Sequence, residues 1–110
     1  MKVNRRYLPS TAAAVSALGA MIAEGRRLRG WTAAELASRL GVSVPTLRRI
    51  ETGEPSVAIG LFFETAVLCG VDLFSAAPAE LPHIAREAKL RTAVLPARVR
   101  TTAEVIDDNF

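Results

Sequence analysis

Apolar residues recur along most of this chain at helical spacing, and the breaks between the runs carry the residues that end and restart helices. Val15, Leu18, Ile22 and Leu28 form the stripe of a first helix, with Ser10 and Thr11 as its caps and Gly30 past its end near Arg29. Thr32-Ala33-Ala34-Glu35 is a capping box, in which hydroxyl and carboxylate each satisfy a free backbone N–H. Trp31 and Leu36 sit at the positions of a hydrophobic staple. Leu36, Ala37 and Leu40 then point inward until Gly41 closes a second helix of about two turns.

Ser43 caps a third helix, in which Pro45 is tolerated because first-turn N–H groups have no intrahelical partner. Leu47 and Ile50 turn inward, and Gly53 and Pro55 stop the helix. Ser56 is placed to cap a fourth, with Ile59, Phe62, Phe63, Ala66 and Val67 at i, i+3, i+4, i+7 and i+8. Asp72 is positioned to open a short fifth helix with Leu73 and Phe74 in the core. Beyond Ala76 the pattern loosens, with one further helical piece starting near Pro82. The β-branched Val99, Thr101, Thr102, Val105 and Ile106 favour an extended tail that orders on a partner chain. The expected organisation is a basic arm over 1–9, a helical domain over 10–76, and a helix and tail over 77–110. The fold class is all-α, ending in a short extended or β tail.

At 110 residues the chain suits one small domain with a tail, and 50% hydrophobic with 23% charged residues fits a folded rather than a disordered protein. Its charge of +3 is segregated. Residues 1–54 carry nine Lys/Arg and four acids, residues 55–85 three acids and no base. Residues 86–100 return to five bases and one acid, and residues 101–110 hold three acids. That segregation points to one polyanion-facing half and a separate contact at the tail.

The single Cys69 forms no internal disulfide and fits a reducing cytoplasm. With His83 the only histidine, no metal-ligand spacing exists and no cofactor is expected. One His, one Cys, no glycine-rich phosphate loop and no unexplained carboxylate pair leave no catalytic residues to assign, so an enzyme is not expected. The basic start followed by LPSTAAAVSALGAMIA imitates a secretory signal, but its weak apolar content and Pro9 argue against one. No run approaches the ~20 apolar residues that span a bilayer, so no membrane association is expected.

Two short helices joined by Gly41-Val42-Ser43, the second basic on one side, make a helix-turn-helix pattern. In that geometry the second helix enters the major groove of double-stranded DNA. With Leu47 and Ile50 inward, Val44, Pro45, Arg48 and Arg49 fall on the outer side. An arginine fork can donate two hydrogen bonds to guanine O6 and N7.

These residues carry a resemblance. LG..I at Leu18, Gly19 and Ile22, then Arg26, W-T-x-x-E-L-A at 31–37, L-G-V-S at 40–43 and T-L-x-R-I-E-x-G at 46–53 resemble the Xre family of repressors. Those repressors have a five-helix, lambda-repressor-like DNA-binding domain. The resemblance implies phosphate contact at Thr32 and the start of the second helix, and base contact at Val44, Pro45, Arg48 and Arg49. The implied interface is therefore Thr32, Ala33, Ser43, Val44, Pro45, Thr46, Arg48 and Arg49. Ala33 stands where many members carry a bracing Gln, which throws recognition onto the arginines. The resemblance also implies a structural ion pair between Arg26 and Glu51.

A second resemblance covers the remainder. IGLFFETAVLCGVDLF, a basic helix, L-P-x-R-V-R at 95–100 and the ending DDNF are similar to HipB-type antitoxins. Those proteins dimerise, bind their own operator and hold a HipA-like serine/threonine kinase toxin. Tail residues Leu95, Pro96, Arg98, Val99, Arg100, Val105, Ile106 and Phe110 would then make dimer or toxin contacts. The expectation is a homodimeric, autoregulating repressor and antitoxin in the bacterial cytoplasm, associated with the nucleoid. The alternative is a stand-alone phage- or plasmid-type regulator without a toxin.

Overall fold

The computed structural model describes residues 6–99 of the chain. Five α-helices make up the fold, in the order α1 (Pro9–Leu28), α2 (Ala33–Leu40), α3 (Val44–Glu51), α4 (Ile59–Leu68) and α5 (Leu81–Ala93), and a 3₁₀ turn at Pro78–Glu80 precedes α5. There is no strand among the described residues, so the class is all-α. The chain divides into two compact units, Met1–Pro78 and Ala79–Phe110.

In the first unit, α1 starts two residues earlier than a cap at Ser10 would place it. Leu8 is the N-cap and makes no side-chain cap bond, while Pro9 occupies the first turn. The fixed φ of proline is already helical, so Ser10 and Thr11 lie inside the helix instead of capping it. The expected stripe is corrected too. Leu28 is 81% exposed, and the buried positions of α1 are Gly19, Ile22 and Gly25. The glycines are there for closeness. A Cβ on Gly19 would stand 2.5 Å from the Ile50 carbonyl oxygen and 2.7 Å from that of Glu51, and one on Gly25 would collide with the Cys69 carbonyl. Helix α1 therefore meets the ends of both α3 and α4 backbone to backbone.

Helices α1, α2, α3 and α4 all end with a glycine at φ between 72° and 74°. Each glycine N–H and the N–H after it turn back onto carbonyls of the last turn, as in Trp31 N–H to Arg26 O at 3.1 Å and Glu54 N–H to Arg49 O at 3.0 Å. The α2 cap is the expected box: Thr32 Oγ1 accepts the Glu35 N–H at 3.0 Å, and Glu35 Oε1 accepts the Thr32 N–H at 3.4 Å.

Helix α4 departs from expectation at both ends. Ser56 does not cap it, because Val57 N–H bonds to Glu54 O at 3.2 Å in a turn and the helix begins only after Ala58. Its buried face is Phe62, Thr65, Ala66 and Cys69, whereas Ile59 is 69% and Val67 40% exposed. The buried Thr65 hydroxyl is satisfied by donating to Leu61 O at 2.7 Å. The helix expected at Asp72 is instead a turn. Phe74 and Ser75 both have φ 55°, and Leu73 and Ala76 form an isolated antiparallel bridge. Leu73 is buried as expected, but Phe74 is 71% exposed, its ring edge-on to Phe63 at 6.1 Å. The core of this unit is Ile22, Leu36, Ala37, Leu47, Ile50, Phe62, Ala66, Cys69, Val71, Leu73 and Ala76.

In the second unit α5 carries Pro82 in its first turn. His83 Nε2 lies 2.9 Å from Glu87 Oε1, and Arg91 reaches the other oxygen of Glu87 at 3.8 Å, both pairs at i, i+4. Leu95, Pro96, Arg98 and Val99 follow outside any helix or strand and are exposed, Leu95 and Arg98 in bends. The remaining tail positions, Arg100, Val105, Ile106 and Phe110, lie outside the described residues.

Candidate nucleic-acid interface

The helix-turn-helix is built by local bonds at each joint. Gly41, at φ 74°, ends α2, and Ser43 restarts the chain as the cap of α3, its Oγ accepting the Thr46 N–H at 3.2 Å. Leu47 and Ile50 are fully buried, which fixes the rotation of α3 about its axis. Pro45, Arg48 and Arg49 are consequently exposed, while Val44 and Thr46 on the flanks are half-buried. Val44 thus offers an edge of its side chain rather than a full outer face.

The two arginines are not equivalent. Among the described residues Arg48 has no side-chain hydrogen bond or ion pair. Arg49 has both: Nη2 donates to Thr46 Oγ1 at 3.1 Å, and Nε lies 3.5 Å from Glu54 Oε2. Thr46 Oγ1 also accepts from Ser43 Oγ at 3.0 Å, so the cap of α3 and its basic face form one polar chain.

At the start of α2, Thr32 is exposed and Ala33 half-buried. The capping box engages the N–H groups of Thr32 and Glu35. The amides of Ala33 and Ala34 belong to the first turn, whose N–H groups have no partner within the helix and suit a phosphate oxygen.

Behind this surface, Arg26 Nε donates to Glu51 Oε2 at 2.7 Å and Nη2 to Oε1 at 3.2 Å, with Nη1 donating to Trp31 O at 2.9 Å. The hydrogen bonds that Arg26 donates to Glu51 raise the Arg26 pKa further above its ordinary value, so the charge is permanent. Arg26 thereby joins α1 to the end of α3 and to the residue before the cap of α2.

Three participants escaped the sequence reading. Arg29 Nη1 donates to Cys69 O at 2.6 Å, placing a cation on the carbonyl end of α4. The guanidinium carbons of Arg29 and Arg39 lie 5.7 and 4.3 Å from the Trp31 ring centroid, so the indole takes cation–π contacts from both. Glu54 is the third, and its signal was present: a residue just past the glycine of such a helix end folds back beside the residue five before it.

A shallow apolar groove lies elsewhere in the first unit, lined by Tyr7, Val15, Leu18, Val57, Ile59 and Phe63 among others. No group of His, Cys, Asp and Glu able to hold a metal ion occurs among the described residues. No helix among them is long and apolar enough to cross a membrane.

A capped two-helix unit with a basic outer helix on a small helical core defines a DNA-binding helix-turn-helix protein. Residues 17–83, more than half of the chain, match the family model described as helix-turn-helix domain, and the chain belongs to that family. No curated protein and no solved structure matches it.

Proposed function

We propose that the chain is a homodimeric, Xre-type transcriptional repressor. It reads an operator through α3 and serves as the antitoxin of a HipA-like serine/threonine kinase, autoregulating the operon that encodes both. It is a binding protein and not an enzyme. The observation that carries the operator reading is the exposed face of α3, where Pro45, Arg48 and Arg49 stand together on a helix fixed by two fully buried residues. Thr32 and the first-turn amides of α2 supply the phosphate contact that sets register. Support for a dimer comes from the exposed apolar side chains of Ile59, Val67 and Phe74, with half-buried Phe63 edge-on to Phe74. Support for the antitoxin reading comes from the sequence LPARVR and the acidic, aromatic ending DDNF.

Two experiments test this. A gel-shift series with genomic fragments at rising salt should show a sequence-selected duplex with half-sites about 34 Å apart. Co-purification from the native host should bring down a kinase, and a chain ending at Arg100 should keep DNA binding while losing that kinase. Selective DNA binding with no kinase recovered would instead identify a stand-alone regulator.

A further inference from the structure

Glu54 is an acid beside the basic face of α3, and as a bare charge it would weaken binding to every DNA sequence alike. Its neighbours show what it does instead. Glu54 Oε2 lies 3.5 Å from Arg49 Nε, while Thr46 Oγ1 holds Arg49 Nη2 at 3.1 Å. One hydrogen bond and one ion pair hold the Nε and Nη2 side of the guanidinium, and Nη1 is unengaged among the described residues. A hydrogen on Nη1 and one on Nη2 make the end-on fork that fits guanine O6 and N7.

The backbone that carries this carboxylate is itself anchored. Glu54 N–H donates to Arg49 O at 3.0 Å, and Glu54 O accepts the Val57 N–H at 3.2 Å. Gly53 before it abuts α1 so tightly that a Cβ there would stand 2.5 Å from Ser16 Cα. Glu54 Oε2 is buried and makes no hydrogen bond, an arrangement that does not favour folding, and a half-exposed ion pair adds little stability.

Building on the reading of α3 as the operator-reading helix, we infer that Glu54 is a specificity-determining positioning residue. It holds the Arg49 fork in its reading orientation before DNA arrives, and it lowers affinity for non-operator DNA. A long side chain already held loses less rotamer freedom on binding, so the gain is realised only where the base accepts both hydrogen bonds.

The test uses the full chain and duplexes selected by it from a randomised pool. Binding is measured to the selected duplex, to a scrambled one, and to one carrying a substitution at the base pair whose preference Arg49→Ala erases. Glu54→Gln and Glu54→Ala should bind the scrambled duplex more tightly. They should also lose about three- to tenfold in discrimination at that one base pair, and nothing further in an Arg49→Ala background. Thr46→Val should relax the same base pair. Equal strengthening on all duplexes with discrimination intact would reduce Glu54 to a plain repulsive charge and overturn the inference. A loss spread over every base pair, or one that persists without Arg49, would also overturn it. Should Arg49→Ala change no preference while the wild type still selects a sequence, the inference falls and the operator reading stands. If the wild type selects nothing, the operator reading falls and takes the inference with it.

Discussion

Arg26 and Glu51, 25 residues apart, form a two-pronged ion pair with side chains only 11% and 14% exposed. The third arm of the same guanidinium reaches Trp31 O, so one side chain ties the end of α3 to the residue before the cap of α2. Both residues lie behind the exposed basic face of α3, which they tie to α1.

Removing one partner leaves the other charged and largely dry. Glu51→Ala or Arg26→Ala should therefore cost about 3–5 kcal/mol of stability, measured by urea unfolding with the single tryptophan as the fluorescent probe. A double replacement by apolar residues, Arg26→Met with Glu51→Leu, should cost clearly less than either single change. A double variant as unstable as the singles would show that the pair's geometry, rather than the orphaned charge, matters.

On DNA, Arg49→Ala and Arg48→Ala should each cost ~1–3 kcal/mol and relax preference at one base pair per half-site. Replacing Arg5 and Arg6 should weaken all sequences equally and flatten the salt dependence. Retention of the same selected sequence by the Arg48→Ala/Arg49→Ala double variant would rule out α3 as the reading helix.

Two glycine replacements should act in opposite directions. Gly19→Ala sets a methyl against the carbonyls of Ile50 and Glu51, which are backbone and cannot swing aside, so stability should fall by about 1–3 kcal/mol. Gly60→Ala in the first turn of α4 meets nothing within 4 Å and should leave stability unchanged or raise it by about 0.5 kcal/mol. Thermal unfolding of the two variants, side by side, checks the contrast.

Alkaline pH should act through Cys69. Burial raises its thiol pKa above the ordinary value of 9.0, partly opposed by Arg29. The neutral thiol is thus favoured in the folded state. Its contribution is fully present below pH 9.0 and is lost as pH climbs from there through the raised folded value. Urea titrations across that window should show stability falling more steeply than in Cys69→Ala, and an identical slope in the variant would exclude the thiol as the cause.

What could be read along the chain was whatever a few consecutive residues settle. The Thr32–Glu35 box, the Ser43 cap, the inward Leu47 and Ile50 and the glycines that end α1, α2 and α3 are all local, and their bonds span three to five residues. Pro9 outranked Ser10 and Thr11 because a preset φ begins a helix without any side-chain bond.

The two helices of the motif, their caps and the turn between them were therefore determined by sequence alone: short-range bonds select them, and they need no distant partner. Tertiary structure decided the rest. Helix α4 is apolar nearly all round, so spacing could not choose between Val67 and Cys69; the space left by Gly25 on α1 turns Cys69 inward and leaves Val67 partly exposed. Leu73 and Ala76 meet across a turn at two positive φ values, a bridge with no helical period to announce it. Arg29 found the end of α4 forty residues away. Contacts of this kind depend on which backbones can approach, and close approach is a property of packed helices rather than of any one segment.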